Sequence, residues 1–244
     1  MKKLIISTTV IACGAVGSAL AADMPTKAPA MTFNDWSVYL GVNGGPTTGT
    51  TPWLYTGGQS TDPTHATDGW LFGGTVGVNY RFAPRLVAGI EADWDWSNSR
   101  GSAYCPNTAY ACESKIDSLG TLRGRLGAVW WDGVLLYGTG GWAWTHWTAQ
   151  TDRLNGAATP PSGTNINGGS TDANGWTAGF GLEWAFWNNW SVKAEYLYYQ
   201  FPTQTFAVDN GLSVNASNHG NVFRMGLNYQ FNWSGVPAGV VAKY

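Results

Sequence analysis

Charge is what this chain has least of. Asp, Glu, Lys and Arg make up only 11% of its 244 residues, against roughly 25% in an ordinary soluble domain. The signs nearly cancel, 13 basic against 15 acidic residues, and no stretch concentrates Lys and Arg. A nucleic-acid partner would need such a stretch, so that class is set aside. Beyond the N-terminal leader no apolar run approaches the ~18 residues of a spanning helix. Cysteine is scarce as well, with only Cys13, Cys105 and Cys112. The segment CPNTAYAC holds the last two with no His nearby, too few ligands for zinc. Low charge does not make the chain greasy, because Gly, Ser, Thr and Asn carry its polarity and mean hydropathy is −0.16. What is abundant is Gly, 33 residues, and Trp, 15 residues. Few charges with many aromatics and glycines fit a soluble enzyme poorly.

The N-terminus explains the destination. Lys2-Lys3 precede an apolar stretch from Leu4 to about Gly17, and Ala19-Leu20-Ala21 forms a small-residue cleavage site. Residues 1–21 therefore read as a secretory signal peptide, followed by a Pro/Ala linker over 22–35. A lipobox reading of Val10-Ile11-Ala12-Cys13 would acylate Cys13, but the apolar stretch runs past it to the better site. Export to an oxidising compartment predicts a disulfide between Cys105 and Cys112.

Eight segments alternate large apolar residues with small or charged ones, at about 36–45, 69–82, 86–97, 116–130, 134–147, 175–187, 190–203 and 221–231. That period of two means strands. The connections alternate in length. Ala83-Pro84-Arg85, Trp131-Asp132-Gly133 and Asn188-Asn189 are tight turns, whereas 46–68, 98–115, 148–174 and 204–220 are long and polar. An up-and-down sheet with every long loop at one end is the arrangement of an outer-membrane barrel. The predicted fold is all-β, an eight-stranded antiparallel transmembrane barrel over 36–231 with short periplasmic turns and long outer loops. Residues 232–244 form a C-terminal tail.

Parity assigns the faces. Trp70, Phe72, Tyr80, Trp94, Trp96, Phe180, Trp184, Tyr196, Tyr198, Phe223, Tyr229 and Phe231 fall on the apolar faces and are assigned to lipid. The opposite faces carry Arg81, Arg123, Arg125, Lys193 and Arg224 against Glu91, Asp93, Asp95, Glu183 and Glu195, five charges of each sign. Asp117 shares the polar parity of its strand. Charges in a narrow interior must be paired, and an eight-stranded barrel is only wide enough to be filled by its own side chains. A lumen charge network follows, and a wide diffusion pore does not. Strand five, LLYGTGGWAWTHW, has aromatics on both parities and takes no orientation from its pattern.

The segments WSVYLGVNGG, LLYGTGGWAW, NNWSVKAEYLYY and VFRMGLNYQF, with the linker AADMPTKAPA, resemble the small opacity-like outer-membrane β-barrels of alphaproteobacteria, relatives of the OmpA transmembrane domain. The resemblance covers the barrel and not the long loops. It implies location in the bacterial outer membrane, contact with its lipid and lipopolysaccharide, and insertion by the barrel-assembly machinery. It also implies a structural or surface-interaction role, with an extracellular or host-surface ligand taken by the loops. No cofactor, metal site or catalytic set is assigned. Family members end on the aromatic that closes the last strand; Phe231 fits that place, but NWSGVPAGVVAKY follows it. Other readings stay open: a narrow channel, a haemin or ligand receptor using His65, His146 or His219 with Tyr104, Tyr110 or the loop residue Trp53, and a rim hydrolase pairing such a His with Asp68, Asp95 or Asp209.

Overall fold

The computed structural model describes residues 36–55, 63–106, 108–131, 133–154, 163–187, 189–207 and 213–232. The signal peptide, the linker, Asp132, Asn188, Asp209 and the tail beyond Asn232 lie outside the described residues. Eight strands follow one another: β1 (Trp36–Tyr55), β2 (Thr64–Ala83), β3 (Leu86–Tyr104), β4 (Tyr110–Trp131), β5 (Val134–Leu154), β6 (Gly163–Trp187), β7 (Trp190–Ala207) and β8 (Ser213–Asn232). Each pairs antiparallel with the next, and β1 also pairs with β8, so the sheet closes into a barrel without edges. Closure leaves no backbone donor or acceptor facing hydrocarbon.

Three tight turns close one end. Gly133 takes φ +82° in the β4–β5 turn, a conformation that its missing Cβ permits. Asn189 secures the β6–β7 turn to β8: Gln230 N–H donates to its carbonyl at 2.7 Å, and its Nδ2 donates to the Gln230 carbonyl at 2.6 Å.

The strands run much further at the other end than the sequence pattern indicates. They are 18 to 25 residues long, and much of what reads as long polar loop is strand. β1 continues through Pro46–Tyr55, and β6 begins at Gly163. Outward side chains separate two zones. A lower aromatic belt contains Trp36, Tyr80, Trp130, Trp184, Trp190 and Tyr229, with Trp36 and Tyr80 centroids 4.6 Å apart. An upper belt contains Trp70, Trp94, Trp142, Trp144 and Trp176, with Trp142 and Trp144 4.9 Å apart. Along β2 and β6 the belts lie eight to ten residues apart (Tyr80 to Trp70, Trp184 to Trp176). At about 3.3 Å per residue and a ~40° tilt this spans roughly 20–25 Å, the height of an outer-membrane apolar band.

Above the upper belt the pattern inverts. Thr48, Asp68, Arg100, Ser170 and Asp172 now face outward, while Trp53, Trp147, Phe201, Phe206 and Val214 are buried inside. The projecting part is a β-collar with a wet exterior and an apolar core, the reverse of the membrane band. In β1, β5 and β8 the inward parity is unbroken at Trp53, Trp147 and Val214 and only the residue types change, whereas two bulges re-aim β4 and β7. The register shifts between Ile116 and Ser118 in β4 and between Phe201 and Gln204 in β7, the latter around Pro202. A bulge exchanges the two faces of a strand, which turns Ile116 and Phe206 inward. Asp117 sits at the first bulge, half-exposed and 2.5 Å from Lys115, and does not share the lumen face that its parity assigned.

The register also orients β5. Leu135, Tyr137, Ala143 and Trp147 point inward, and Leu136, Trp142 and His146 outward. Aromatics occur on both parities because Tyr137 points into the lumen and Trp147 into the collar core, while Trp142 and Trp144 face outward.

Candidate functional site

Nine charged side chains meet in the lumen of the membrane band. Each comes from an inward position of β3, β4, β6, β7 or β8, and all are buried. Arg123 is the hub on one side: it pairs with Glu91, with Asp93 at 2.7 Å and with Glu195 at 2.9 Å. Arg224 is the hub on the other, 2.6 Å from Glu195, 2.9 Å from Asp95, 3.0 Å from Asp93 and 3.7 Å from Glu91. Lys193 reaches Glu91 at 2.8 Å. Arg125 holds Glu183 at 2.6 Å and lies 4.2 Å from the centroid of the Tyr137 ring.

Neutral donors complete the carboxylates. The hydroxyl of Tyr39 donates to Glu91 at 2.6 Å, Thr121 to Asp93 at 2.7 Å, Ser191 to Glu183 at 2.6 Å and Tyr137 to Glu195 at 3.2 Å. Gly77 and Gly181 make room for the two tyrosines, since a Cβ at either would collide with the Tyr39 or the Tyr137 ring. Glycine in these strands is thus a packing device.

Nine of the ten charges assigned to the lumen network converge. Arg81 does not: it lies near the turn end, pairs with no described carboxylate, and its Nε is buried without a partner. The expected balance of five against five becomes four cations against five carboxylates. Asp95 carries the excess most plainly. Its only salt-bridge partner among the described residues is Arg224, and its Oδ1 accepts no hydrogen bond.

The apolar core of the collar closes the lumen above this network. Trp53, Trp147, Leu197, Phe201 and Val222 lie in it, with Trp53 and Trp147 fully buried. Trp53 is therefore not a loop residue available to a ligand; its Nε1 donates to Ser114 at 3.0 Å. Trp53, Trp147, Leu197, Phe201 and Val222 keep the inward parity of the membrane band; only in β4 and β7, beyond the bulges, does that parity assign the wrong face, as for Ile116 and Phe206.

The disulfide is present, with Cys105 and Cys112 bridged across the β3–β4 tip and Cα atoms 5.2 Å apart. Tyr55 OH lies 3.1 Å from Cys112 Sγ, and burial pushes this phenol up to about 12. All twelve aromatics assigned to lipid occupy outward positions, some of them only half-exposed, such as Tyr196, which donates to Asn221 at 2.6 Å.

The histidines do not come together. His65 faces the collar core, 5.8 Å from Trp53, with both ring nitrogens buried and unpartnered; burial lowers it from 6.5 to about 4. His146 faces outward on β5, 2.8 Å from Asp172, and His219 faces outward on β8, with β6 and β7 between them. Asp95 belongs to the buried network and Asp68 faces outward. Among the described residues no group of three or more His, Cys, Asp or Glu could hold a metal ion.

A closed eight-stranded barrel with two aromatic belts, short turns at one end and a filled lumen defines an integral outer-membrane protein. The chain belongs to the outer membrane protein beta-barrel domain family, whose model matches residues 9–236. It is 32% identical to the 31 kDa outer-membrane immunogenic protein of Brucella melitensis biotype 1, over 95% of this chain and 100% of that one. To the 22 kDa outer membrane protein of Rhizobium leguminosarum bv. viciae it is 27% identical, over 73% of this chain and 77% of the other. Among solved structures, OprG from Pseudomonas aeruginosa aligns with a TM-score of 0.47 at 11% identity, covering 80% of this chain and 96% of that one. Ail of Yersinia pestis aligns with a TM-score of 0.35 at 13% identity, covering 78% and 99%. The protein resides in the bacterial outer membrane.

Proposed function

We propose that this protein is a non-conducting, non-enzymatic surface barrel that anchors a rigid β-collar in the outer membrane and presents it to the exterior. The observation that carries the reading is the double closure of the lumen. The charge network fills the membrane band and the aromatic core fills the collar above it. Driving an ion through would require separating several buried ion pairs and then wetting an apolar core, and each step is costly.

A structural and surface-interaction role follows from what remains. The exterior of the collar is polar, and the disulfide bridges one of its tips. The Brucella relative is named an immunogenic outer-membrane protein, which fits a surface-exposed part. Lipid and lipopolysaccharide surround the band, extracellular or host-surface ligands would be met by the collar, and Phe231 near the end of β8 serves the assembly machinery as a closing aromatic. The separation of the three histidines speaks against the haemin and hydrolase readings.

Two measurements test the proposal. In planar bilayers the purified barrel gives no discrete conductance steps. In intact cells Ser170→Cys, on the collar exterior, reacts with an impermeant maleimide, while Arg85→Cys, in the β2–β3 turn, reacts only after the envelope is opened. Stable single-channel steps, or equal labelling at both positions, would overturn it.

A further inference from the structure

The lipid-facing wall is not uniform. A groove of about 480 Å³ is cut into its turn-proximal half, across β2 to β6. Register explains its shape. Leu126 pairs with Gly138 and Gly138 with Phe180, while Leu86 pairs with Ala128 and Ala128 with Leu136. Large side chains (Phe82, Leu86, Leu126, Leu136 and Phe180) therefore stand as walls around a floor where Gly138 and Ala128 carry almost nothing. A Cβ built on Gly138 meets nothing nearer than the Gly179 carbonyl, at 3.9 Å. The floor continues toward the middle of the band through Gly124, which pairs with Gly140, which pairs with Ala178.

A second feature lies at the foot of the groove. Arg85 occupies the β2–β3 turn directly before Leu86, is exposed, and forms no ion pair with a described residue. Its carbonyl accepts a hydrogen bond from Val129 N–H at 2.8 Å, which fixes the turn against β4 beside the exposed Trp130 and Trp131. Trp at this level marks the headgroup zone. A guanidinium there matches a phosphate in both charge and shape, and the groove above it is apolar and faces hydrocarbon.

We infer that this groove is a specific phospholipid site of the periplasmic leaflet, with one acyl chain lying over Gly138 and the lipid phosphate held by Arg85. The volume falls within the ~300–1,000 Å³ typical of small-molecule sites. The glycines create a depression that a single chain can fill, and the turn sets the height of the cation. The lipid is recognised by two parts, a chain and a phosphate, so the two contributions separate experimentally.

The test uses full-length mature protein, delipidated in mild detergent and followed by native mass spectrometry with added phosphatidylethanolamine or diacylglycerol. Wild type retains one phosphatidylethanolamine, and prefers it to diacylglycerol by about tenfold, the change expected for one charge-assisted contact. Arg85→Gln removes the preference. Gly138→Leu, which has room for its side chain, lowers retention of both lipids while the heat-dependent gel mobility of the folded barrel stays unchanged. Gly74→Leu is the control: this outward glycine of β2 also has open space, its nearest atom at 3.8 Å, and lies outside the groove. Equal retention by Gly138→Leu and Gly74→Leu would overturn the site. Dimers that disappear in Gly138→Leu without any retained lipid would also overturn it, by making the groove an interface between copies of this chain.

Discussion

Replacing Arg224 by Met tests the energetics of the lumen. Arg224 lies within 3.0 Å of Asp93, Asp95 and Glu195, all buried. Methionine fills similar space without charge, so the loss is electrostatic. Asp93 and Glu195 keep Arg123, at 2.7 and 2.9 Å, but Asp95 is left with no cation. Removing one partner of a buried pair costs about 3–5 kcal/mol, because the remaining charge is uncompensated. The imbalance of four cations against five carboxylates would become three against five. Asp95→Asn acts in the opposite direction: it brings the native lumen to four against four and is expected to be neutral or stabilising. In the double variant, Asp95→Asn should recover at least about 1–2 kcal/mol of the loss, as residues in direct contact couple. Urea unfolding of the barrel in lipid vesicles, followed by Trp fluorescence, measures all four states. If Arg224→Met alone stays within about 1 kcal/mol of wild type, the network is hydrated and the lumen is not closed by it. Destabilisation by Asp95→Asn as large as that by Arg224→Met would equally refute the excess of carboxylates.

Two further predictions concern smaller contacts. Lys193→Ala should destabilise more than Tyr196→Phe in the same assay, because Lys193 holds buried Glu91 at 2.8 Å while Tyr196 loses only an outward bond to Asn221; equal, negligible effects would contradict the inward assignment of Lys193. His65 predicts acid sensitivity of the collar. Its folded value of about 4 lies below the ordinary 6.5, so the ring folds neutral and the unfolded state binds the extra proton. Stability present above pH 6.5 is lost as pH falls toward 4, by about 3 kcal/mol in total. Proteolysis of the collar between those pH values reads the loss, and His65→Leu should flatten the profile; an unchanged pH slope in that variant would rule His65 out as the cause.

Strand content, closure and the direction of the faces in the membrane band were legible in the sequence, because a two-residue period next to lipid leaves little choice. Glu183, Lys193 and Glu195 could be assigned inward from alternation alone, as could the aromatics opposite them to the outside. Which cation meets which carboxylate was not legible. Glu91 and Lys193 are 102 positions apart, and only the register of the closed sheet brings them together. Arg81 shares their parity but lies too near the turn end to join, a matter of height along the barrel that parity does not encode.

The collar marks the limit more sharply. By itself the sequence determined that this is an exported β-barrel with lipid outside and charge inside, since apolar alternation reports the solvent of each face. Its segments 46–55 and 148–154 read as loop because Thr, Gly and Pro dominate the first and Thr, Gln, Asp and Arg the second, as the outward residues turn polar above the bilayer. Only the tertiary structure decided that they continue as strands, that bulges at Asp117 and Pro202 exchange the faces of β4 and β7, and that Trp53 and Trp147 fill a core. The physical reason is that the surrounding solvent changes from hydrocarbon to water along a single strand. The pattern that identifies the barrel in one zone therefore inverts in the next, and only the paired neighbours show where.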